Sequence, residues 1–188
     1  VFDVKYYFKP SPACLAGHIK RYPDHHFTEV KEVEQLSGLL KKQPTFPGIV
    51  SGRTVEHIRW RTSNPNYQYR IISYKPRQSA EGYVIYYILN GKLILFDFLF
   101  DTAKAEKALF WYLYAQVAQH KHKGIIAFCQ ENGEQSLLLR RHYFMSNPFN
   151  KGPLSEKTPF IFYAPADILN KYADAASWQI TGYDHDAL

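Results

Sequence analysis

One carboxylate in this chain stands where a carboxylate is costly to keep ionised. Asp97 interrupts the run Leu93-Ile-Leu-Phe-Asp97-Phe-Leu-Phe100, and burial in such a run raises a carboxyl pKa. A group tuned in that way can act as a general base toward an amine. The plainer alternative is a strand-end Asp that bonds backbone or caps the following helix. A second set lies upstream, in Arg59, Trp60, Arg61 and Asn64. Guanidinium forks beside an indole face suit an anionic sugar or a phosphate. Equally, Trp60 can pack on the core while the arginine stems flank it in solvent.

The remaining chemistry-bearing residues are less pointed. His25-His26, His120 with His122, and Asp184-His185-Asp186 lack the i, i+4 histidine pair plus acid of a helical zinc site, so no metal is expected. A favourable interaction with a helix C-terminus accounts better for His120 and His122. No Ser/His/Asp or Cys/His arrangement carries a recognisable local signature. Cys14 and Cys129 differ too much in context to form a disulfide framework. A buried, reduced Cys129 and a cytoplasmic setting are expected.

Those residues need elements to position them, and the composition supplies the means. An apolar fraction of 46% with 16% aromatics suffices for a packed core, and the many Tyr and Phe favour a substantial sheet. The net charge of +6 is spread along the chain with no like-charge block. A nucleic-acid arm is therefore not expected, although Arg140-Arg141 with Tyr143 and Phe144 holds that partner open as a distant option. The most apolar stretch, Tyr83 to Phe100, is broken by Asn90-Gly91-Lys92 and Asp97, which argues against a membrane span. The chain begins at Val1 and is taken as a piece of a longer protein, with room for an N-terminal partner domain.

Residues 1–50 are punctuated by proline and are expected to form a helical and linker segment packed on a core domain of residues 51–188. Apolar spacing predicts a helix over Thr28 to Lys42 and a short one over Thr54 to Arg61. Tyr67 to Lys75, Gly82 to Leu89 and Leu93 to Phe100 are predicted strands, the last two joined by an Asn90-Gly91 hairpin turn. A long helix capped by Asp101 or Thr102 runs to about Lys121. A buried strand at Gly124 to Cys129, a helix at Glu134 to Arg141 and an extended piece from Tyr143 follow. Late strands at Pro159 to Tyr163 and Trp178 to Thr181 flank a helix near Ala166 to Tyr172. The expected class is α/β, with a mixed, mostly antiparallel sheet and helices on both faces.

From about Thr54 onward this order resembles the GNAT acyltransferase core. Asn132 to Phe144 resembles that family's fourth-helix motif, with Leu138-Leu139 and His142-Tyr143 between matching ends. The segment Ile58-Arg59-Trp60-Arg61 with Asn64-Pro65-Asn66-Tyr67, and the ending Trp178 to Asp186, look like the C-terminal half of tandem GNAT-like proteins from bacterial polysaccharide clusters. The resemblance implies acetyl-CoA or another acyl-CoA as cofactor and a small-molecule amine or sugar as acceptor. It gives Asp97 the part of base and Tyr143 that of acid. Phe98, Phe100, Thr102, Lys104, Lys107 and Asn132 would face the cofactor, and Arg59, Trp60, Arg61 and Asn64 the acceptor.

Two departures from the family pattern bear on activity. Active members carry a Gln or Arg and two glycines where this chain has Asp101, Lys104 and Glu106. Bare backbone N–H groups at a helix start cradle a pyrophosphate, whereas carboxylates repel it. Leu139 stands where the motif often has a proton-donating Tyr. Two functions therefore stand side by side: an N-acyltransferase domain, and a catalytically degenerate GNAT fold that binds an acceptor or supports a partner domain.

Overall fold

A computed structural model of the chain describes residues 2–11, 22–42, 49–50, 52–131, 133–146, 158–160, 171 and 178–179. In chain order the elements are β1 (Phe2–Pro10), a 3-10 turn (Asp24–His26) and β2 (Phe27–Glu29). A second 3-10 turn (Val33–Leu36) runs into the short α1 (Ser37–Leu40), then β3 (Ile49–Val50) and α2 (Val55–Thr62). The centre is β4 (Arg70–Tyr74), β5 (Gly82–Leu89), β6 (Lys92–Phe100) and α3 (Ala103–Gln119). Then come β7 (Gly124–Gln130), α4 (Glu134–Arg141), β8 (Met145–Ser146), β9 (Thr158–Phe160) and β10 (Trp178–Gln179). The predicted helix near Ala166 to Tyr172 lies, but for Lys171, outside the described residues.

The chain divides into two compact units, one of residues 10–44 and 52–125, the other of residues 1–9, 45–51 and 126–188. In the first, β2, β4, β5 and β6 are neighbours in an antiparallel sheet. Its β5–β6 hairpin closes through Asn90 and Gly91, both at positive φ (51° and 74°). Both central residues in the left-handed region define the turn whose twist suits a two-residue hairpin, as the Asn-Gly pair predicts. Along the hairpin Ile85 faces Asp97 but Tyr86 faces Leu95, so Phe96 is an extra residue, a β-bulge.

Helices cover both faces of this sheet. Gly82 lies beneath α3, and a Cβ there would meet Leu99 O at 3.0 Å, Ala105 Cβ at 3.1 Å and Leu109 Cδ1 at 3.1 Å. Only glycine allows helix and strand to approach so closely. The neighbouring Tyr83 faces the opposite side, where Asp97 receives Arg53 from the segment leading into α2. The apolar stripe Ala105, Ala108, Leu109, Leu113 and Val117 of α3 is buried, which is why that helix forms where its periodicity predicts.

The helix predicted over Thr28 to Lys42 is not continuous. Phe27, Thr28 and Glu29 instead pair with Tyr74, Ser73 and Ile72 of β4. Only Val33, Leu36, Leu39 and Leu40 bury their apolar groups from turns of helix. A free edge on β4 outweighs the local periodicity, because an added strand satisfies a row of backbone groups. The first residues likewise hold a nine-residue strand, β1, where only a helical and linker segment is expected.

In the second unit β1 pairs antiparallel with β8 and with β9, and β3 pairs in parallel with β10. α4 carries Leu139 into the core, fully buried. Tyr6 and Phe128 meet edge to face with ring centroids 5.0 Å apart.

Candidate functional site

Four residues of the predicted acceptor set belong to α2 and the turn after it. Thr54 caps that helix, its Oγ1 accepting from His57 N at 3.1 Å. His57 Nδ1 donates to the Gly52 carbonyl at 2.7 Å, since a carbonyl can only accept. Trp60 is 63% exposed and stacks on the His57 ring, with centroids 5.6 Å apart and planes 26° apart. Arg61 lies with its guanidinium carbon 5.5 Å from the Trp60 ring and 5.5 Å from the Phe96 ring. Arg59 is exposed and forms an ion pair with Glu34. Asn64 Oδ1 accepts from Asn66 N at 3.0 Å and fixes the turn. The indole is thus a solvent-facing platform, and the arginines divide between an aromatic wall and a surface acid.

Beside α2 opens a cleft of about 630 Å³, lined by the segment from Glu29 to Val33, by Arg59, Thr62 and Ser63, and by Tyr69 and Ile71 of the β4 side. That volume suits a small ligand. Val30, Val33 and Ile71 are buried and give it an apolar floor. Glu29 is held by Arg70 through bonds of 2.9 and 3.1 Å, and this guanidinium keeps its carboxyl below the usual range.

Asp97 has a different setting from that of a poised base. Its side chain is fully buried, as is nearly all of Arg53. Arg53 Nε donates to both carboxylate oxygens at 3.1 Å, and Nη2 donates to Oδ1 at 2.8 Å. The Tyr83 hydroxyl donates to Oδ2 at 2.7 Å. These contacts tie both carboxyl oxygens to protein groups. The arrangement is an anchor for the chain before α2.

The start of α3 is closed by its own groups. Thr102 Oγ1 accepts from Ala105 N at 3.1 Å and donates to Glu81 Oε2 at 3.1 Å. Glu106 lies in the first turn, where a carboxylate complements the helix dipole. Asp101 pairs with Lys42 at 2.9 Å, and Lys104 and Lys107 are exposed. Phe98 and Phe100, predicted to face the cofactor, stack on one another at 5.5 Å and both meet the Phe110 ring of α3. The residues present therefore do not fit a diphosphate at this helix start.

In the second unit Tyr143 is 78% exposed at φ 62°, with Lys9 Nζ 5.3 Å from its ring centre. It ends α4 in the left-handed region rather than opening a strand, and extended structure begins at Met145. Asp97 and Tyr143 fall in different units. Asn132 lies outside the described residues. Burial pushes the Cys129 thiol far up, so it is no nucleophile. Among the described residues no group of three or more His, Cys, Asp or Glu can hold a metal, and no helix is long and apolar enough to cross a membrane. The sequence pointed to Asp97 but not to its partner Arg53, which lies 44 residues away, nor to the cleft.

No protein-family model matches the chain, and no curated protein matches it. Solved structures do share its fold. A conserved protein of unknown function from Enterococcus faecalis V583, described as a probable N-acyltransferase, superposes with a TM-score of 0.57 at 17% identity, over 68% of this chain and 32% of that one. A functionally unknown conserved protein from Staphylococcus epidermidis ATCC 12228 gives 0.57 at 11% identity, over 77% and 57%. A GCN5-related N-acetyltransferase from Anabaena variabilis ATCC 29413 gives 0.54 at 12% identity, over 78% and 38%. The fold is that of GNAT-type N-acetyltransferase-like proteins, and the chain spans less than two thirds of each of these three. Such low identities carry the fold and not the activity.

Proposed function

We propose that this chain is the acceptor-holding half of an acyl-CoA-dependent N-acyltransferase, a GNAT fold that no longer binds the cofactor itself. The observation that carries the reading is the closed start of α3, where Thr102, Glu81, Asp101 and Glu106 occupy the approach of a diphosphate. A diphosphate there would meet carboxylates and a helix end at which one first-turn donor, Ala105 N, is already taken by Thr102. The buried Asp97–Arg53 pair and the buried Leu139 agree with it, since neither offers a proton acceptor or donor to a substrate. The acceptor is an amine, on a sugar or a polysaccharide precursor, and a partner domain supplies the acyl group. The cytoplasm, where a thiol such as Cys129 stays reduced, is the proposed setting.

A second reading, acyl transfer by this chain alone, draws on the exposed Lys104 and Lys107, which can hold phosphate as point charges. Calorimetric titration of acetyl-CoA into the chain, with Glu106→Gly run beside it, separates the two. The proposal expects no heat from the unmodified chain. Binding in the micromolar range, followed by acylation of an amine, refutes it in favour of the second reading.

A further inference from the structure

We infer that the cleft beside α2 binds a small zwitterion, a molecule carrying an amine and a carboxylate on a compact apolar body. The inference rests on the acceptor-holding role and names the class of acceptor. Its basis is the distribution of charge around the cavity. Of the lining charges, Glu29 is neutralised by Arg70 and Arg59 shares its charge with Glu34. Lys31 and Glu32 are exposed on the same rim and form no ion pair with another described residue. A cation and an anion side by side on one rim, above an apolar floor, match a ligand with the opposite pair of charges.

The neutral atoms are disposed accordingly. Thr62 Oγ1 donates to Ile58 O at 2.8 Å and Ser63 Oγ donates to Trp60 O at 2.7 Å. With its hydrogen used, each hydroxyl is left as an acceptor, which suits an ammonium near Thr62 and Ser63. Arg59 has five N–H donors, more than one carboxylate partner can take, so it and Lys31 serve the ligand carboxylate. Val30, Val33 and Ile71, beneath, receive the apolar body. Two ligand families share this chemistry: free amino acids with apolar side chains, and amino sugar acids, whose ring faces are apolar.

The test uses the chain with 13C-labelled Ile and Val methyls, read by NMR. The probes are L-leucine, 2-amino-2-deoxy-D-glucuronic acid, isoamylamine and 4-methylpentanoate. At least one zwitterion is expected to shift the Val30, Val33 and Ile71 methyls in a saturable manner, with the amine-only and acid-only probes about tenfold weaker. The better zwitterion identifies the source. Glu32→Gln and Lys31→Met, both exposed changes that leave the core intact, are each expected to weaken it about tenfold. Equal binding of the singly charged probes, unaltered affinity in both variants, or methyls that do not move with any probe overturns the inference. Because the readout is the cleft itself and contains no acetyl-CoA, its failure is distinct from the failure of the acceptor-half reading, which the acetyl-CoA titration decides.

Discussion

Arg53 and Asp97 offer the sharpest physical test of how this fold is held. Arg53→Met removes the donors of three hydrogen bonds at 2.8 to 3.1 Å and leaves a carboxylate with no exposed surface. Stranding one member of a buried ion pair costs about 3–5 kcal/mol. The reciprocal Asp97→Leu removes the acceptor of those three bonds from a guanidinium whose side chain is only 4% exposed, at a similar cost. The double variant strands neither charge, and replacing a buried pair by apolar groups is often nearly neutral. The singles therefore predict a sum near 6–10 kcal/mol and the double a loss of only about 0–2 kcal/mol. Urea denaturation followed by circular dichroism measures all four corners of the cycle. In a thermal melt each single is expected to fall by roughly 6–20 °C, from 2–4 °C per kcal/mol for a chain of this size. If the two losses add to within about 0.5 kcal/mol, the pair is not a coupled unit and Asp97 is not an anchor.

Two further outcomes are expected. Gly82→Ala places a Cβ against a backbone oxygen at 3.0 Å and two side-chain carbons at 3.1 Å, and should cost about 1–3 kcal/mol by overpacking, read by the same denaturation. Glu29, whose carboxyl is held by Arg70 below its ordinary 4.5, binds a proton in the unfolded chain before it does so in the folded one. Its contribution is present above about pH 4.5 and is lost as the pH falls through the lower folded value. Denaturation midpoints measured from pH 6 to pH 3 should show that acid-side loss, and Arg70→Met should flatten it.

Much of the central unit was legible because its signals are local. Asn90-Gly91 fixes a turn by backbone conformation alone, Thr102 caps α3 from one residue away, and the α3 stripe needs only its own spacing. Glu134 to Arg141 is a helix with the predicted bounds. What sequence did not disclose depends on distant partners. Phe27 to Glu29 is a strand because β4 offers an edge more than forty positions on. Val33 to Leu40, carrying part of the same periodicity, is left with short turns. β1 hides behind Lys9, a buried lysine that donates to the His142 carbonyl at 2.7 Å, a contact no alternation rule foretells. At the site, the acidic start of α3 was visible in Asp101 and Glu106. The role of Asp97 turned on Arg53, and the cleft on three segments brought together by folding.

The extra residue in β6 has a consequence for how this sheet meets its neighbours. In an unbroken strand consecutive side chains part company, one to each side. The offset at Phe96 lets Phe96 and Asp97 stand shoulder to shoulder on the same side, one meeting Tyr69 and Arg61, the other Arg53 and Tyr83. A single strand thereby grips two arginines from one region of chain with two different handles, an aromatic face and an anionic clasp. Excising Phe96 would leave Leu95 and Asp97 in the places they already hold opposite Tyr86 and Ile85, so the extra residue adds the aromatic handle beside the anionic clasp without changing the phase of the strand on either side.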